Sequence, residues 1–151
     1  MANEKKPVVK KELTPEEAAA KKAAAEKEVD ELVQKGLKAL DEFMSFDQEK
    51  IDYIVAKMSV AGLDHHGILA RKAIEETHRG VFEDKATKNL FACEYVVNNM
   101  RHTKTVGVIS EDPVTGITEI AEPLGVIAGV TPVTNPTSTA IFKSLICLKT
   151  R

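Results

Sequence analysis

The last third of the chain constrains it most. Leu124 to Val130 is an apolar run with small residues inside it, Gly125, Ala128 and Gly129. A run without polar alternation suits a strand buried on both faces, as in a parallel sheet. The composition changes abruptly at Thr131, where Thr-Pro-Val-Thr-Asn-Pro-Thr-Ser follows. Two prolines and an asparagine in a polar stretch mark a turn. Beyond it Ala140, Ile141, Ser144, Leu145 and Leu148 recur at helical spacing, with Lys143 and Lys149 between them. Strand, tight polar turn and helix form the opening unit of an α/β nucleotide-binding fold. Ligands of such sheets sit in the crevice beyond the strand's carboxyl end.

The rest of the chain leads up to this unit. Met1 to Leu13 is charged and poor in bulky apolar groups, which reads as a disordered tail. Thr14-Pro15-Glu16-Glu17 is a helix start: Thr14 caps, Pro15 takes the first helical position and Glu17 completes a capping box. Ala18 to Lys27 favours helix but has little to bury. From Val29 a face emerges: Val29, Leu32, Val33, Leu37, Leu40 and Met44. Ser45 to Gln48 caps a second helix with the stripe Ile51, Ile54, Val55 and Met58, which Gly62 is expected to terminate. A third helix uses Ile68, Leu69, Ala73 and Ile74 and ends around Thr77 to Gly80. A fourth, Glu83 to about Arg101, is expected to bury Ala86, Leu90, Cys93, Val97 and Met100. The period then changes to two: Thr105–Ile109 and Ile117–Ala121 read as strands joined by Ser110 to Gly116.

At 151 residues the chain has the length of one domain. Its net charge of −2 provides no basic excess to draw nucleic acid. No apolar run approaches the roughly 20 residues needed to span a bilayer. The charged amino terminus lacks the apolar core of a secretion signal, and neither Cys93 nor Cys147 belongs to a metal or CxxC pattern. Both points fit a reducing, cytoplasmic setting.

The stretch Glu122–Arg151, EPLGVIAGVTPVTNPTSTAIFKSLICLKTR, resembles the start of the nucleotide-binding unit in the aldehyde dehydrogenase superfamily. The similarity is strongest to the acylating half of bacterial bifunctional aldehyde–alcohol dehydrogenases. Arg79–Val96 (RGVFEDKATKNLFACEYV) and Lys104–Asp112 (KTVGVISED) resemble the same family. The likeness is near-continuous from about Phe82 to Arg151, weaker from Leu32 to His78, and absent before Leu32. It implies an α/β fold: amino-terminal helices (14–102), a β-hairpin (103–122) serving as an assembly arm, then an incomplete NAD-binding unit (123–151). It also implies an NAD-dependent enzyme that interconverts acetyl-coenzyme A, acetaldehyde and ethanol, with coenzyme A as co-substrate. Iron belongs to an alcohol dehydrogenase half that has no counterpart in these residues. Oligomers or filaments are expected of the full-length family.

The resemblance assigns roles to the turn. Asn135 matches the family's asparagine, whose amide donates to the oxygen of a tetrahedral thiohemiacetal. Without the resemblance, Asn135 would read as a turn-stabilising residue before proline. Thr131, Pro132, Val133 and Thr134 match the segment bordering the nicotinamide ribose. Thr134 stands where many relatives outside the bifunctional group carry tryptophan. There is no GxGxxG, a fingerprint these enzymes do not use.

Other reactive side chains read as structural. Cys147 and Cys93 both fall on apolar helical stripes, and the family's nucleophilic cysteine maps to neither, lying beyond position 151. Adjacent His65 and His66 point to different sides of a helix, which is poor chelating geometry. His78 stands where relatives commonly end a helix with glycine, and His102 has no evident partner. Glu75 and Glu76 read as a solvated face. No metal site is expected. With one oxyanion donor and one edge of a cofactor site, this polypeptide alone is expected to be inactive, a piece of a longer enzyme. The competing reading is a non-catalytic module that binds full-length subunits through its helices and hairpin. An unrelated helical domain fits less well with so long a resemblance.

Overall fold

Thr14 starts the first helix by exchanging hydrogen bonds with Glu17. The Thr14 N–H donates to Glu17 Oε2 at 2.8 Å and the Glu17 N–H to Thr14 Oγ1 at 3.2 Å. The backbone bond is the larger of the interactions that hold the Glu17 carboxyl below the usual glutamate range. In the computed structural model, which describes residues 13–151, this box opens α1, Pro15–Phe43. The expected tail lies outside the described residues except for Leu13, which is exposed.

The chain divides into two compact units, up to Gly36 and from Leu37 to Arg151. In the first, every described residue from Leu13 to Lys35 is exposed. Its helix is supported by propensity, the box, and exposed pairs such as Lys22–Glu26 at 3.6 Å.

The second unit is built on α2, Gln48–Thr77. Asp47 caps it, accepting from the Lys50 N–H at 2.8 Å. The sequence suggested two helices broken at Gly62, but α2 runs straight through. A Cβ at Gly62 would lie 2.6 Å from Cys93 Sγ. The glycine therefore permits close approach of the next helix and terminates nothing. The true end is His78, in left-handed geometry (φ 54°), whose N–H returns to the Ile74 carbonyl at 2.7 Å.

Helix α3 spans Phe82–Cys93 and α4 spans Tyr95–Met100, replacing the single helix expected from Glu83 to Arg101. At the break, Ser59 Oγ donates to the Cys93 carbonyl at 2.7 Å, and a hydroxyl competing for a helical carbonyl favours such an interruption. The buried residues of α3 are Lys85, Asn89, Ala92 and Cys93. Ala86, Leu90, Val97 and Met100 are only half-buried. Cys93 is buried as expected, but Lys85 and Asn89 turn inward where apolar periodicity suggested their neighbours Ala86 and Leu90.

Strands β1 (Gly107–Asp112) and β2 (Ile117–Ala121) form an antiparallel hairpin with an irregularity at Ile109. The first strand begins two residues later than expected. Gln48 Oε1 takes the N–H groups of Thr105 and Val106 at 2.7 and 3.1 Å, and Gly107 turns the chain at φ +67°. Those amides are therefore committed to α2 before the ladder starts. In the turn, the Asp112 carboxylate accepts from the Thr115 hydroxyl and from the N–H groups of Val114 and Thr115. These bonds, the hydroxyl's first, hold Asp112 below the usual aspartate range.

Helix α5, Pro136–Thr150, follows the expected turn. The architecture is α/β, mostly helical with one two-stranded sheet among the described residues. The apolar centre is Ile51, Val55 and Leu145, each fully or nearly buried and worth about 1.5–3 kcal/mol. Lys149, 3% exposed, pairs with Asp52 of α2, and the Thr105 hydroxyl donates to the Lys149 carbonyl. Leu124–Val130 departs from expectation. It forms no strand, and Leu124 and Val130 are 79% and 93% exposed. The described residues provide no ladder beside it, and a strand exists only through its neighbours. No helix among the described residues is long and apolar enough to cross a membrane.

Two measurements probe this packing. Gly62→Ala should destabilise by about 1–2 kcal/mol, because overpacking against a buried sulfur outweighs the better helix propensity. Adding Cys93→Ala should recover most of the loss in a urea-unfolding double-mutant cycle. Separately, the Asp112 carboxylate stabilises the turn at neutral pH, and this contribution should fade as pH falls through its lowered folded value. Amide shifts of Val114 and Thr115 should report the transition, and Asp112→Asn should abolish it.

Candidate active site at the turn before the last helix

The Thr131–Pro136 bend is shaped by α3. Three polar side chains on one side of α3, at positions 85, 88 and 89, reach across to the bend and the helix start. Lys85 Nζ donates to the Thr134 carbonyl at 2.7 Å. Lys88 Nζ donates to Asn135 Oδ1 at 3.0 Å. Asn89, wholly buried, accepts from the Thr137 hydroxyl at 2.9 Å and donates to the His66 carbonyl of α2, also at 2.9 Å. Lys85 itself is 6% exposed, its stem packed beneath Gly80, where a Cβ would come within 3.3 Å of Lys85 Cε.

Asn135 occupies the N-cap of α5 yet makes no side-chain cap bond. Pro136 takes the first helical position, and the Asn135 carbonyl accepts from the Thr139 N–H at 3.2 Å. Half-buried, Asn135 borders a groove of about 540 Å³ between α3 and α5, walled by Phe91, Ala92, Val96 and Phe142. Its Nδ2 reaches Thr134 Oγ1 only at 3.4 Å, a weak bond that leaves donor capacity. Asn135 thus borders an open groove and is not sealed in hydrocarbon.

Thr131, Pro132, Val133 and Thr134 are all exposed. Thr131 borders a second groove, about 600 Å³, with Ile127–Val130 on one side and Ala140, Lys143, Ser144 and Cys147 on the other. The bend thus has one groove on each flank. Cys147 is half-buried there, with no histidine or carboxylate lining the same groove. Cys93 is fully buried, and burial pushes its thiol up, away from the reactive thiolate.

The imidazole rings of His65 and His66 take no part in the bend. His65 and His66 each place Nδ1 against a carbonyl of their own helix, Ala61 and Leu63. Among the described residues no three His, Cys, Asp or Glu side chains gather as a metal site. Sequence reasoning missed Lys85, Lys88 and Asn89. The only signal was the spacing K-x-x-K-N at Lys85–Asn89, a pattern that reads equally as a solvated face.

No family model matches the chain. Individual proteins do. An aldehyde-alcohol dehydrogenase of Streptococcus pneumoniae serotype 4 is 75% identical over 142 residues, 94% of this chain and 16% of that protein. The bifunctional aldehyde-alcohol dehydrogenase of Escherichia coli K12 is 50% identical over 124 residues, 82% of this chain and 14% of that protein. The crystal structure of an acetylating aldehyde dehydrogenase from Geobacillus thermoglucosidasius superposes with a TM-score of 0.81 at 44% identity, covering 82% of this chain and 27% of the other. The chain is a homologue of the amino-terminal region of the aldehyde–alcohol dehydrogenases. It spans about one-sixth of the length of these relatives. A match of 142 residues is longer than the stretch from Leu32 to Arg151, so the aldehyde–alcohol dehydrogenase likeness extends into the segment before Leu32, where none was discerned. These relatives are named as dehydrogenases, and the comparisons give no support to a non-catalytic module.

Asn89→Ala should cost about 2–3 kcal/mol, because it empties a fully buried site and leaves a half-buried carbonyl and hydroxyl short of partners. The exposed Lys88→Met should stay within about 0.5 kcal/mol of the parent. Urea unfolding of both variants checks the contrast.

Proposed function

We propose that this chain contributes the oxyanion donor and one border of the cofactor site to an enzyme interconverting acetyl-coenzyme A, acetaldehyde and ethanol with NAD(H). The observation that carries this reading is the Asn135 amide. It stands at a helix N-cap without capping, is held by its oxygen, and borders an open groove. An amide donor fixed there can stabilise charge that develops on a carbonyl oxygen when a thiolate adds to an aldehyde. The groove's walls, Phe91, Ala92, Val96 and Phe142, suit the short apolar tail of such an aldehyde.

The cofactor border is the main chain of Thr131–Thr134. These residues fit an extended dinucleotide: they are exposed, small or short, and Lys85 pins the Thr134 carbonyl. NAD, when bound, supplies the hydride acceptor, and coenzyme A removes the acyl group. The chain's own work is to hold the carbonyl oxygen with Asn135 and to keep the bend rigid. In this reading the nucleophilic thiolate comes from another part of the enzyme, since Cys93 is buried and Cys147 lacks a base beside it. The 151-residue chain is accordingly inactive by itself. The exposed hairpin, with Val108, Ile117 and Ile120 open to solvent, serves as an assembly arm. The setting is cytoplasmic.

In a full-length enzyme carrying this segment, Asn135→Ala should lower kcat for coenzyme A-dependent acetaldehyde oxidation by about 10²- to 10³-fold. The isolated chain should show no turnover in the same assay. Turnover by the chain alone, or a fully active Asn135→Ala enzyme, would sink this reading.

A further inference from the structure

Lys88 Nζ lies 3.0 Å from Asn135 Oδ1. An ammonium has donors only, so the amide atom facing it must be oxygen, and the NH₂ must face the other way. The chemistry of the partner thus settles an orientation that an amide's shape alone leaves open. An asparagine at an N-cap ordinarily turns its oxygen onto the N–H groups of the first helical turn. Here Lys88 takes that oxygen, and no cap bond forms.

The cation also strengthens the donor. Positive charge at the amide oxygen polarises the group and makes its N–H a better hydrogen-bond donor. It places additional positive charge near the spot where an oxyanion would develop. Lys85, one turn earlier on α3, holds the Thr134 carbonyl and so fixes the backbone from which the amide hangs. Lys88 borders the same groove as Asn135, and it is exposed, so the contact is not a by-product of core packing.

We propose that Lys88 is a positioning residue for the aldehyde reaction, holding the Asn135 amide by its oxygen so that the NH₂ stays available to the reacting carbonyl. This rests on the reading of Asn135 as oxyanion donor. Lys88 touches no reacting atom, so its effect passes through Asn135.

The test uses the full-length enzyme and coenzyme A-dependent acetaldehyde oxidation. Lys88→Met should lower kcat about 10-fold with KM changed less than about 2-fold, since misplacing one donor spoils the transition state more than binding. Lys88→Arg, which keeps charge and reach, should recover most of the rate. In an Asn135→Ala background, Lys88→Met should cost nothing further. The melting temperature of Lys88→Met should match the parent. A slow Asn135→Ala enzyme beside a Lys88→Met enzyme of normal rate would overturn the proposal alone. So would a Lys88→Met loss that persists undiminished in the Asn135→Ala background. An Asn135→Ala enzyme of normal rate would overturn the oxyanion reading and this proposal together.

Discussion

One fully buried amide ties the second unit together. Asn89 bonds the His66 carbonyl of α2 on one side and the Thr137 hydroxyl of α5 on the other. A buried amide has to find partners, because leaving it unpaired costs about 1–3 kcal/mol. That requirement sets where α5 begins relative to α2 and α3. Apolar contacts alone would tolerate small slips of one helix along another. Directional bonds at both ends of one side chain do not.

The bend inherits its shape from this anchoring. Once Asn89 locates Thr137, Lys85 can reach the Thr134 carbonyl and Lys88 the Asn135 amide. The three residues lie within five positions of α3, so rigid helix geometry presents them together. The flexible-looking turn is thus held from below by a regular element, which is how a site can be exact without being buried. At the other end of α5, Lys149, Asp52, Gln48 and Thr105 play the same part, fixing the helix against α2 and the entry to the hairpin. Leu145 lies between these two polar clamps along α5 and packs with Ile51 and Val55 of α2, which supplies cohesion.

Much of the local structure was legible from residues. The Thr14–Glu17 box, the Asp47 cap, the hairpin and the α5 start each depend on neighbours in sequence, and each occurs. Gly62 misled because glycine has two uses, ending helices and admitting close neighbours, and only the position of Cys93 distinguishes them. The first strand began later than expected because Gln48, more than fifty residues away, takes the amides of Thr105 and Val106. The inward face of α3 was misread at two positions because its buried residues Lys85 and Asn89 are polar.

The sequence by itself determined which stretches are helical, though not where helices merge or break, and also the hairpin, the polar bend and the kinship with aldehyde–alcohol dehydrogenases, since these rest on spacing, capping and residue identity. Tertiary structure decided which faces are buried, that α2 is unbroken, that Leu124–Val130 has no strand to pair with, and that α3 grips the bend. The physical reason is range. Caps and periodicities are set within a few residues, whereas a buried lysine, a shared amide or a sheet ladder exists only when distant segments meet.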